Sequence, residues 1–98
     1  MFDKLKQLKQ MRDQAQQVRQ MLAQETIEAE AAHGKLKIIM DGNMETKSVE
    51  VNPELMQTDK KEELEKAIQE ANNEAIKKTQ RVMAQKMQQI GGLNIPGM

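Results

Sequence analysis

Apolar residues in this chain keep two different beats. Over residues 3–24, Leu8, Met11, Ala15, Val18 and Leu22 recur at alternating intervals of three and four, the seam spacing of a coiled-coil helix. Leu5 widens that stripe, and no Gly or Pro interrupts it. Seven glutamines (Gln7, Gln10, Gln14, Gln16, Gln17, Gln20 and Gln24), long and uncharged, fill much of the remaining surface. Glutamine is a good helix former, so the stretch predicts a helix over 1–24, a rod of about 33 Å.

From residue 25 the period drops to two. Ile27, Ala29 and Ala31 alternate with Glu28 and Glu30, and Leu36, Ile38 and Met40 alternate with Lys35, Lys37 and Ile39. Val49 and Val51 alternate with Ser48 and Glu50. His33-Gly34 and Asp41-Gly42-Asn43 separate the three runs, the second a strong hairpin signal because Gly accepts positive φ. A three-stranded antiparallel meander is expected over 25–52. Pro53 ends it, since proline donates nothing to a ladder. Asp59 with Glu62 has the spacing of a capping box and predicts a second helix over 59–90, about 45 Å long. Its stripe is Leu64, Ala67, Ile68, Ala71, Ala75, Ile76, Val82, Met83, Met87 and Ile90, and Gly91-Gly92 stops it, leaving a short tail over 91–98. The reading is one α+β domain, residues 1–98, in the order α-β-β-β-α. Ile38, Met40, Val49, Val51, Leu64, Ile68 and Ala71 are its expected core.

Composition changes this picture in one respect. The 98 residues are 38% hydrophobic, and Phe2 is the single aromatic. A core of Leu, Ile, Val, Met and Ala in so short a chain is thin, so a second chain is expected to complete it. With no cysteine there are no disulfides. No apolar run approaches the roughly 20 residues that span a bilayer, and the start lacks a signal-peptide core, so a cytoplasmic, membrane-free protein is expected.

Candidate chemistry is sparse. His33 is the only histidine and sits beside a turn glycine, without the further ligands that a metal needs. The carboxylates of the second helix (Glu62, Glu63, Glu65, Glu70, Glu74) read as a solvated face paired with lysines one turn away. No glycine-rich loop opens a helix to cradle phosphate. Neither a catalytic constellation nor a small-molecule, cofactor or metal site is expected.

Charge distribution is the remaining signal. The net charge is zero, yet residues 1–24 carry five bases against two acids, and residues 75–98 carry four bases and no acid. Residues 25–74 hold the acidic excess. Antiparallel packing of the two helices would place Lys4, Lys6, Lys9 and Arg12 beside Lys77, Lys78, Arg81 and Lys86. Such a patch attracts phosphates and predicts salt-sensitive binding. Cations near a helix C-terminus also complement its dipole, a purely structural cause for part of the pattern.

The segments KSVEVNPELM (Lys47–Met56), NNEAIKKTQRVMAQKMQQIGGLNIPGM (Asn72–Met98) and KQLKQMRDQAQQVRQML (Lys6–Leu22) resemble, in order and spacing, the YbaB/EbfC nucleoid-associated proteins. The resemblance covers nearly the whole chain and departs from the family's glycine-rich first turn at AAHGK. It implies a bacterial, cytoplasmic, nucleoid-associated homodimer of α-β-β-β-α fold, with helical ends projecting like tweezers onto duplex DNA. Carried over, it implies DNA contacts by Lys4, Lys6, Lys9, Arg12, Lys77, Lys78, Arg81 and Lys86. Without an aromatic stacking platform the expected binding is to duplex, with low sequence specificity. The rival reading is a protein–protein interaction module that uses the Gln- and Met-rich first helix.

Overall fold

The computed structural model describes residues 2–91, with side chains over 3–89. The elements are α1 (Phe2–Ala23), β1 (Ile27–Ala31), β2 (Leu36–Met40), β3 (Thr46–Val51) and α2 (Lys61–Gly91). The expected tail, from residue 92 onward, and the side chain of Ile90 lie outside the described residues. The strands form one antiparallel sheet in the order β1-β2-β3. Ala29 faces Ile38 and Ile38 faces Val49 across it, so Ile27, Ala29, Leu36, Ile38, Met40, Val49 and Val51 line one face. Near the β2–β3 turn the register shifts: Ile39 pairs with Ser48 but Met40 with Thr46, leaving Lys47 as the extra residue of a bulge.

α2 lies across that apolar face over β1 and β2. It seats a ridge of small residues at four-residue intervals, Ala67, Ala71, Ala75 and Thr79, all buried. The Thr79 hydroxyl donates to the Ala75 carbonyl at 2.8 Å, so the polar atom the ridge buries is satisfied. Ile27, Ala29, Leu36, Ile38 and Met40 fill the sheet side, and Leu55 closes the end.

Several expectations need correction. Val49 is 52% exposed and Ile68 is 44% exposed, and Val51 and Leu64 are half-buried, because α2 leaves β3 uncovered. Asp59 is not the cap of α2. It lies within a 3-10 turn, Thr58–Lys60, that follows another at Pro53–Met56; there Asn52 is the capping residue, its side-chain oxygen accepting from the Glu54 N–H at 2.9 Å. The two hairpin turns also differ from expectation. In AAHGK the left-handed conformation runs through Ala32, His33 and Gly34, φ +53°, +57° and +82°. At the second turn the left-handed residue is Met44, φ +64°, and Gly42 is there for another reason.

The largest departure is α1, which does not pack along α2. Residues 3–17 are exposed, and only Val18 and Leu22 turn toward the body. The molecule is 65 Å long, which the roughly 46 Å of α2 alone cannot supply. The start of α1 therefore stands away from the end of α2 in the same chain. The ridge face of α2 is taken by the sheet, and α1 is fastened instead at its root to the β2–β3 turn.

Because Leu36 is fully buried between the sheet and α2, Leu36→Ala is expected to cost about 2–5 kcal/mol. Urea unfolding followed by circular dichroism measures this. An unchanged midpoint would mean that this face is not the core.

Candidate nucleic-acid interface

Of the expected cations, those of α1 are set by helical spacing alone. Lys9, Arg12 and Arg19 are joined through Gln16 at intervals of three, four and three, so they form one stripe along the rod, about 15 Å long. The apolar seam of Leu8, Met11 and Ala15 runs one residue behind it, and Lys4 continues that seam. Lys6 projects from a third face. No carboxylate lies within ion-pairing reach of any of these cations among the described residues. Arg19 belongs to the same stripe, as its spacing from Arg12 announces.

The four cations of α2 divide. Lys77 and Arg81, one turn apart, point to solvent on the face away from the sheet and pair with no acid among the described residues. Lys78 and Lys86 flank the buried ridge. The Lys78 ammonium donates to the Glu28 carbonyl at 2.9 Å, and Lys86 pairs with Glu25 at 3.0 Å. Those two fasten α2 to the chain around β1. The Lys86–Glu25 pair also brings the end of α2 to the root of α1.

Elsewhere positive charge is cancelled. Lys35 pairs with Glu54 at 2.9 Å, Lys37 with Glu28 at 2.9 Å, Lys47 with Glu45 at 3.3 Å, Lys60 with Glu63 at 3.5 Å and Lys61 with Glu65 at 3.7 Å. The hydrogen bond and charge of Lys37 lower the Glu28 carboxyl below its ordinary range, and Glu28 in turn raises Lys37. Exposed pairs of this kind add little stability. Their effect is to leave the sheet and the start of α2 without free positive charge, Lys66 apart.

α1 is held at its root by the β2–β3 turn. The Gly42 N–H donates to the Leu22 carbonyl at 2.8 Å, and the Asn43 side-chain amide donates to the Arg19 carbonyl at 2.9 Å. The Leu22 carbonyl lies in the last turn of α1 and also accepts from the Glu25 N–H at 3.1 Å; the Arg19 carbonyl, just before that turn, takes the Asn43 amide as an additional donor. A Cβ on Gly42 would lie 2.7 Å from the Leu22 oxygen, so glycine is required there by close approach. Asp41 holds the turn in shape. Its Oδ1 accepts from the Asn43 N–H at 2.8 Å and the Glu45 N–H at 3.0 Å, and Lys47, out of line on its bulge, stands 3.6 Å from Oδ2. Burial pushes the Asp41 carboxyl up, but those two N–H groups and the Lys47 ammonium outweigh it and leave it below its ordinary value of 3.8.

Among the described residues no group of three or more His, Cys, Asp or Glu is placed to hold a metal ion, and no helix is long and apolar enough to cross a membrane.

The chain matches the model of the YbaB/EbfC DNA-binding family over residues 1–93. A nucleoid-associated protein of Thermoanaerobacter pseudethanolicus is 37% identical over 95 residues, which is 96% of this chain and 86% of that protein. One of Syntrophobacter fumaroxidans is 35% identical over 98 residues, 99% of this chain and 89% of that protein. The crystal structure of an uncharacterized Helicobacter pylori protein shares the fold, with a TM-score of 0.67 at 15% identity over 82% of this chain and 93% of that one.

The depressed Asp41 carboxyl stabilises the folded chain above its ordinary titration range, and that contribution is lost as pH falls through the folded value, below about pH 4. Asp41→Asn is expected to flatten the acid limb of a stability–pH profile measured by urea unfolding from pH 6 downward. Parallel profiles for the two proteins would remove the carboxylate from this role.

Proposed function

The chain belongs to the YbaB/EbfC DNA-binding family, and on that premise we propose that it binds duplex DNA as a homodimer, with low sequence specificity, through the free cations of its helices. What carries the reading is the partition of charge. Each of the five lysines between residues 35 and 61 has a carboxylate partner, whereas Lys4, Lys6, Lys9, Arg12, Arg19, Lys77 and Arg81 have none among the described residues. Unpaired cations on a projecting rod reach phosphates without first breaking an internal pair. Lys78 and Lys86 contribute to the local potential while staying engaged with Glu28 and Glu25. Neighbouring phosphates lie a few ångströms apart along a duplex, so the Lys9–Arg19 stripe spans about four base pairs. Phosphate contacts position a protein without reading bases, which is the source of the low specificity.

A second copy accounts for the apolar surface left open. Val49 and Val51 on β3 continue the sheet face past α2, and Ile68 and Ile76 emerge one residue after Ala67 and Ala75, on the side of α2 away from Lys78 and β1. Together they make a face that one copy buries against another. The Leu8–Met11 seam of α1 is a further apolar strip for the same purpose. Use of that seam by an unrelated partner helix is the competing reading, and a monomeric mass would favour it.

Two outcomes test this. In gel-shift titrations across salt, Lys9→Gln/Arg12→Gln is expected to make the slope of log affinity against log salt shallower by about two per chain, on every duplex alike. An unchanged slope would move the contacts elsewhere. By light scattering the wild type is expected to have twice the mass of one chain, and Val49→Glu/Ile68→Glu to have that of a single folded chain. A variant that stays dimeric would put the interface on another face.

A further inference from the structure

We propose that the β2–β3 turn is the mount that aims α1, with Asn43 as its positioning residue and Asp41 and Gly42 as its frame. The inference rests on the DNA-binding reading for its functional consequence, but its mechanical part stands on the geometry alone. Residues 3–17 are all exposed, so among the described residues the direction of the rod is decided at its root. The fixings there are few: the packing of Leu22 and half-buried Val18, the covalent link to β1 with the Lys86–Glu25 pair beside it, and the two hydrogen bonds from Gly42 and Asn43 to the Leu22 and Arg19 carbonyls. The covalent link and Leu22 hold the end in place. Asn43 acts three residues further up the helix, so it is the hydrogen bond that, with the packing of Val18, resists tilting.

The turn is stiff enough for the task. Asp41, 1% exposed, fixes the backbone N–H groups of both Asn43 and Glu45, and the Asp41 N–H donates to the Glu45 carbonyl at 2.9 Å. Asn43 is thus presented on a rigid base that is itself an extension of the sheet. A hydrogen-bond donor also suits the place electrostatically, since the carbonyls of the last turn carry the negative end of the helix dipole.

Leverage makes the mount matter. From Leu22 to Lys4 is about 27 Å of helix, so a swing of about 20° at the root carries the tip through about 9 Å. That is most of the roughly 12 Å width of a major groove. A rod that swings so far presents its stripe of cations to the duplex only part of the time. Apparent affinity falls by the fraction of chains that are correctly oriented.

The experiment uses the full chain, which has no cysteine to interfere with labelling. Spin labels at Gln10→Cys and Gln80→Cys, both exposed, report the distance from the rod to α2, with labelled chains diluted in an excess of unlabelled protein. The wild type is expected to give one narrow distance distribution. Asn43→Ala should broaden it and weaken duplex binding about fivefold, and Asn43→Asp, the same shape with the donor replaced by a charge facing the Arg19 carbonyl, should do so about tenfold. The salt slope should stay at the wild-type value in both, because every cation remains. Distributions as narrow as the wild type overturn the mount. Broadened distributions with unchanged affinity overturn its part in binding. A wild type that does not bind DNA at low salt overturns the function proposed above, while the distance measurement still decides the mount.

Discussion

The structure depends on one close approach, that of the alanine ridge of α2 to the sheet. Ala67, Ala71, Ala75 and Thr79 keep the helix face flat enough for its backbone to lie near β1 and β2, and Ile27, Leu36, Ile38 and Met40 supply the volume from the sheet side. This division of labour lets a chain with one aromatic residue close a core. It also fixes what is left outside. A single helix laid over two strands leaves the third strand bare, so the same contact that makes the fold creates the apolar face of Val49 and Ile68.

Charge follows from the same arrangement. The sheet, its turns and the start of α2 carry more acids than lysines, and folding pairs all of those lysines but Lys66. The helical stretches that project from the body carry cations with few acids among them. A neutral chain thus becomes an acidic body with positive arms, and long-range attraction for a polyanion concentrates on the parts that protrude.

Much of this was legible in the sequence. The change from a three–four beat to a beat of two located both helices and all three strands, and β1 formed despite its alanines because Ala29 and Ala31 face the equally small ridge of α2. What was not legible concerned relations between elements. Periodicity says that Val49 and Ile68 belong to apolar faces, but not that α2 would stop short of β3. It says that α1 has a seam, but not that the sheet would take the ridge of α2 and leave that seam exposed. Gly42 was recognised as a turn residue for its backbone freedom, whereas its lack of a side chain is what Leu22 requires. Asn43, chemically ordinary in a hairpin, gains its importance from a carbonyl that lies on another element. The charge clusters were plain in the sequence, but the division of Lys77 and Arg81 from Lys78 and Lys86 needed the position of β1.

The bulge at Lys47 bears on how the open edge of the sheet meets other molecules. With Thr46 and Lys47 together spanning the place of one partner residue, β3 has a single permitted alignment on β2; sliding it by one position would turn Val49 and Val51 to the wrong side. The kink also adds twist to the open margin of the sheet at a point that bears a lysine, which spoils the flat ribbon that stacking between molecules requires. An edge so shaped is a poor template for a further strand from another molecule.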